Sequence, residues 1–113
     1  MFDLKQFQKE QLEWAKHNFG SKYGSGYRTL LGAMEELGEL AHAHLKSEQG
    51  IRINENHQES KKDAVGDIII YLANYCSDND LILEDCIKDT WENVKVRDWK
   101  KNNINGAPKD RML

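Results

Sequence analysis

The sequence predicts an all-α fold of four helices, and three observations carry that prediction. Apolar residues recur three and four apart along consecutive segments, as one face of a helix requires. Glycines or polar turns separate those segments, and no stretch alternates apolar and polar residues as a half-buried strand would. Ile68-Ile69-Ile70 is β-prone taken alone, but helical patterning on both sides overrides it.

The first helix starts at Asp3-Leu4-Lys5-Gln6, a capping box with an acidic N-cap and a glutamine three residues on. Leu4, Phe7, Gln11, Trp14 and Asn18 share one seam, with Leu12, Ala15 and Phe19 beside it, and Gly20 ends the helix. Gly20 to Gly26 reads as a flexible connector; no strand precedes its glycines and no Gly-Lys-Ser/Thr closes it, so it is not a phosphate loop. The second helix spans about Tyr27 to Glu48 and stops at Gly50, with Leu30, Met34, Leu37, Leu40, Ala41 and Leu45 as its apolar stripe. A polar loop, 50–58, carries Arg52 and His57. The third helix covers about Glu59 to Asp78, and the fourth about Glu84 to Lys101 with Cys86, Ile87, Trp91 and Val94. The domain is thus 1–101, and 102–113, with the sole proline Pro108, reads as an extended or mobile tail.

Size and charge narrow the function. At 113 residues the chain is one small domain that self-association would help to bury. A net charge of −3 lacks the basic footprint of a nucleic-acid binder, and a polyphosphate ligand would need metal ions or local cations. Cys76 and Cys86 lie within apolar patterns and read as reduced core thiols. The charged, amphipathic stretch from Met1 to Glu10 is no signal peptide, and the longest apolar run, Ile68 to Ala73, is too short to span a bilayer. A cytoplasmic protein with no membrane partner is the expectation.

Two acidic clusters stand out. Glu35, Glu36 and Glu39 fan over an arc of about 100° on the second helix, opposite its apolar stripe. Asp63 and Asp67 lie about 40° apart on the third, with Tyr71 and Asn74 continuing their face. Because Val65, Ile68, Ile69, Ile70, Leu72, Ala73, Tyr75 and Cys76 make that helix apolar nearly all round, Asp67 is expected to be partly buried and to need a cation. Hard oxygen donors suit Mg²⁺, or Mn²⁺, better than zinc. Gly38 and Gly66, each costing about 1 kcal/mol in a helix, are explained by close helix approach at the acidic segments. Glu39-Leu40-Ala41-His42 matches half of a di-iron motif but has no second copy, and His42 and His44 point to opposite sides of their helix.

Glu35-Glu36-x-x-Glu39, followed by Gly66-Asp67, three isoleucines and Tyr71, resembles the MazG-like nucleotide pyrophosphohydrolases of the all-α NTP pyrophosphatase superfamily. The resemblance extends from the Trp14 helix to Val94-Lys95-Val96-Arg97-Asp98-Trp99. It departs at one position: the family's second motif, Glu-x-x-Asp, would place glutamate where this chain has Ala64. Asp63, on the face of Asp67, is the expected replacement ligand.

The resemblance implies a four-helix bundle completed as a homodimer or tetramer. It also implies Mg²⁺-dependent hydrolysis of a nucleoside triphosphate to monophosphate and pyrophosphate, a nucleotide house-cleaning activity, with dCTP a plausible substrate. Glu36, Glu39, Asp63 and Asp67 would hold metal, and Glu35 would orient or deprotonate the attacking water. Lys46, Arg52, Lys61 or Lys62, and Lys95 or Arg97 would clamp phosphates. Trp14 and Tyr71 would pack on the base, and Asn18 would read its edge. The rival reading is a non-catalytic module that binds a nucleotide or a partner through an acidic site made degenerate by Ala64.

Overall fold

A computed structural model of the chain describes residues 1–20 and 27–106. These residues form four α-helices and no strand: α1 (Leu4–Phe19), α2 (Arg28–Gln49), α3 (His57–Asp78) and α4 (Leu83–Val94). The connector read between Gly20 and Gly26 lies outside the described residues from Ser21 on, as do 107–113.

Local chemistry sets the helix ends. Asp3 caps α1 by accepting from the amides of Lys5 and Gln6 at 2.9 and 3.1 Å. The other half of the capping box is absent, because the Gln6 side chain donates forward to Glu10 at 3.2 Å. Gly50, at φ 67°, closes α2 in the left-handed conformation that glycine adopts without strain. α3 begins two residues before its expected start, since Asn56 accepts from the Glu59 amide and so caps a helix opening at His57.

Two compact units meet at Leu83/Glu84. In the first, α3 packs against both α2 and α1. Gln8 ties α1 to the end of α3 and the turn beyond it. Its amide donates to Ser77 Oγ and the Leu81 carbonyl, and its Oε1 accepts from the Leu83 amide, at 3.1, 2.9 and 2.8 Å. The buried side chains are small or polar: Ala15, Ala43, Ala64, Ala73, Cys76, Gln8, Gln11, Thr29 and Asn74, with Leu83 the one large aliphatic among the described residues.

This packing corrects the expected core face of α2. Leu30, Met34, Leu37 and Leu45 lie in the open, Met34 67% exposed, while Thr29, Gly32, Ala33, Glu36, Leu40 and Ala43 turn inward. Hydrophobicity alone chose the wrong face, because the close α2–α3 pairing selects small residues. The close approach is at Gly32, where an added Cβ would collide with the Tyr71 ring. Gly38 and Gly66 face open space, so close helix approach does not explain them.

Gly66→Ala should raise the thermal midpoint, by the roughly 1 kcal/mol that alanine gains over glycine in a helix. Gly32→Ala should lower it instead, since the collision, costing about 1–3 kcal/mol, outweighs that propensity. A stabilised Gly32→Ala protein would show that the Tyr71 ring yields freely.

In the second unit the fourth helix is shorter than its pattern: α4 stops at Val94, seven residues before Lys101. Asp98 ends the periodicity by accepting from the amides of Lys100 and Lys101, an alternative that short polar side chains offer to continued helix. Residues 102–106 are not an extended tail. The Asp98 amide donates to the Gly106 carbonyl and the Gly106 amide to Asn102, both at 2.7 Å, which folds this segment back on itself.

Candidate functional site

Inward positions on α2 recur at 29, 32–33, 36, 40 and 43, so Glu36 falls on the face that meets α3. Glu35 and Glu39 flank it and stay exposed. The three carboxylates converge: each offers an oxygen, and these oxygens lie within 4.8 Å of one another. Asp67, half-buried as its helix pattern predicts, adds its field from α3.

The cluster is electrostatically costly. Burial first, then the charges of Glu39 and Asp67, a hydrogen bond with Glu39 and the charge of Glu35 push the Glu36 carboxyl up from 4.5 to about 7. Its Oε2 is shut off from water and has no hydrogen-bond partner. A divalent cation would satisfy that oxygen and cancel the mutual repulsion. An all-carboxylate donor set fits Mg²⁺ or Mn²⁺.

Two clefts flank Asp67. One, of about 320 Å³, is walled by Trp14, Phe19, Ile70 and Tyr71. Gln11, Glu36 and Asp67 supply its polar lining. The rings of Trp14 and Phe19 meet edge to face at 5.6 Å, each about half exposed, giving an apolar wall beside the carboxylates. The other cleft, of about 530 Å³, has Glu39, Asp63 and Asp67 along it and buried Ala64 in its wall. His42, Glu55 and His57 complete that cleft, with His42 Nε2 3.6 Å from Glu55 Oε1 and His57 Nε2 bonded to the Ile51 carbonyl at 3.0 Å.

The residues expected in the site therefore separate into groups. Glu35, Glu36 and Glu39 come together, with Asp67 beside Glu36. Asp63 is exposed and shares the second cleft with Glu39 and Asp67, outside the three-glutamate cluster. Trp14 and Tyr71 both line the first cleft, whereas the Asn18 amide turns back to the Trp14 carbonyl at 2.9 Å and does not line it. Lys46, Arg52 and Lys62 line neither cleft. Half-buried Lys46 donates to Gln49 at 3.3 Å, and Arg52 sits exposed at φ 56°. Lys95 and Arg97 belong to the second unit, where Lys95 pairs with Glu92 at 2.9 Å. Neither Cys76, which is buried, nor the half-buried Cys86 forms a disulfide among the described residues.

Sequence reasoning missed Gln11, Phe19 and Ile70 as cleft residues, and His42, Glu55 and His57 around the second cleft. Gln11 left a usable signal: with Gln8 and Ala15 it marks a polar inward face on α1, where an apolar residue would be ordinary. No helix among the described residues is long and apolar enough to cross a membrane. No protein-family model, characterised protein or solved structure matches the chain.

Proposed function

We propose that this chain hydrolyses nucleoside triphosphates to the monophosphate and pyrophosphate with Mg²⁺, the activity implied by its resemblance to the MazG-like enzymes. The observation that carries this reading is the convergence of Glu35, Glu36 and Glu39 on α2 with Asp67 facing Glu36, beside an aromatic cleft sized for a base. Glu36, Glu39 and Asp67 would hold the cation, with Asp63 reaching it from the second cleft. When bound, Mg²⁺ neutralises phosphate charge and makes a coordinated water more acidic. Glu35, exposed at the rim of the cluster, orients the attacking water and receives its proton. Water oxygen bonds to the α phosphorus, the bond to the α,β-bridging oxygen breaks, and pyrophosphate leaves with that oxygen. Trp14, Phe19 and Tyr71 present the apolar surface for the base.

Self-association belongs to the same reading. Leu30, Leu31, Met34, Leu37 and Leu45 expose an apolar stripe along α2, the kind of patch that marks an interface. A homodimer or tetramer would cover it and bring a cation to the phosphate side, since neither Arg52 nor Lys62 lines the two clefts beside Asp67. A second reading, a non-catalytic nucleotide-binding module, draws on one observation: buried Ala64 lines the second cleft where the resembled motif has a carboxylate.

The deciding assay incubates the protein with a panel of dNTPs and Mg²⁺ and separates pyrophosphate from phosphate. Pyrophosphate with the matching monophosphate is the expected result. Phosphate release, or no turnover of any nucleotide, overturns the hydrolytic reading.

A further inference from the structure

We infer that Gln11 is a specificity-determining acceptor that selects a nucleobase bearing an exocyclic amine, and that Asp78, which never meets the base, sets its polarity. The inference rests on the nucleotide reading of the aromatic cleft and adds what that cleft discriminates. Three side chains form a relay across the α1–α3 contact. Asn74 Nδ2 donates to Asp78 Oδ2 at 3.0 Å, and Gln11 Nε2 donates to Asn74 Oδ1 at 3.0 Å.

The direction of this relay follows from its end. A carboxylate accepts and does not donate, so Asn74 must turn its NH₂ toward Asp78 and its carbonyl toward Gln11. Gln11 must then turn its NH₂ toward Asn74, and either amide flipped would set two acceptors face to face. Gln11 Oε1 is what remains: an acceptor with no partner, on a side chain 7% exposed that lines the aromatic cleft. Asn74, 1% exposed, has no water to pair with instead, so its two neighbours fix which way its amide turns. The anchor is oddly placed for stability, because Asp78 is the last residue of α3, where the helix dipole disfavours negative charge.

An unpaired buried acceptor costs free energy that a ligand N–H can recover. Asp67 lines the same cleft and its carboxylate accepts too, so a ligand donor meets two acceptors there. Cytosine offers an N4 amine at a corner of its ring, free to meet Gln11 Oε1. Uracil and thymine present a carbonyl oxygen there, which sets acceptor against acceptor. The amine is thus admitted and its oxo counterpart refused.

The test is binding of dCMP and dUMP, which differ at that position, by titration calorimetry with Mg²⁺ present; a monophosphate has no α,β bond to break, so turnover is not required. The wild-type protein should prefer dCMP about tenfold, the scale of one matched hydrogen bond. Gln11→Met should bring the ratio close to one. Asp78→Asn lets position 78 donate to Asn74 and allows both amides to flip, turning a donor into the cleft. Its preference should shift toward dUMP, a reversal that mere loosening of the fold would not produce. Equal binding by the wild-type protein, or a preference that survives Gln11→Met, overturns the inference, as does binding of neither nucleotide. Preference for dCMP without any triphosphate hydrolysis would sink the hydrolytic reading alone, and hydrolysis without base preference would sink this one alone.

Discussion

Glu39→Ala should reduce pyrophosphate release at least about a hundredfold, since even groups that only orient a metal ligand act on that scale. Glu39 is exposed on α2, so the helical circular-dichroism spectrum should be unchanged. It links the carboxylates of the proposed site. It lies in the carboxylate cluster, hydrogen-bonds Glu36, and lines the cleft that holds Asp63. A fully active Glu39→Ala protein would remove the metal assignment. The companion pair is more discriminating. Asp67→Ala should match Glu39→Ala, because Asp67 borders both clefts and faces Glu36. Asp63→Ala should weaken Mg²⁺ affinity if Asp63 stands in for the carboxylate absent at Ala64. An inert Asp63 would mean that the cluster and Asp67 suffice.

The second large effect is a pH dependence of stability that inverts with metal. The Glu36 carboxyl is raised from 4.5 to about 7, so the folded chain holds a proton there that the unfolded chain has released. The stability tied to that proton is complete below 4.5 and is lost as pH rises to about 7. Thermal melts in EDTA should therefore show a midpoint that falls across this window. Glu36→Gln, uncharged throughout, should lose that component. Mg²⁺ requires the ionised carboxylate, so the stabilisation it confers should grow as pH rises toward about 7. A metal-free midpoint that stays level, or one that falls as steeply in Glu36→Gln, would clear Glu36 of responsibility.

The pair of acidic clusters was legible because each sits on one helix, where spacing converts directly into facing. Positions 35, 36 and 39 must lie on one arc, and 63 and 67 within one face, once the helices form. Helix existence was legible for the same reason, and Gly20 and Gly50 marked two ends. The end of α4 was not, because Val94 to Trp99 keeps a helix-compatible pattern while Asp98 captures two backbone amides.

What depends on which helix faces which was hidden. The sequence offered two candidate faces of α2, one rich in leucine and one carrying Glu36. The leucine face is the stronger hydrophobic signal, yet α3 packs on the other. Gly32 and Ala43 admit the close approach that Leu37 and Met34 would block, and the position of Gly32 under the Tyr71 ring decides the choice. That packing, and no local rule, closes Glu36 Oε2 off from water. Gln11 shows the same division: its place on the α1 seam is periodicity, but its free acceptor comes from a relay that joins residues more than sixty positions apart.

The sequence by itself determined four helices and two carboxylate arcs, because backbone hydrogen bonding and a 3.6-residue repeat are local physics. Only the tertiary structure decided that Glu36 turns inward toward Asp67 and that Gln11, a residue of the aromatic cleft, keeps an unpaired oxygen. Burial and hydrogen-bond partnership are properties of the groups brought together across helices, and spacing along one chain does not contain them.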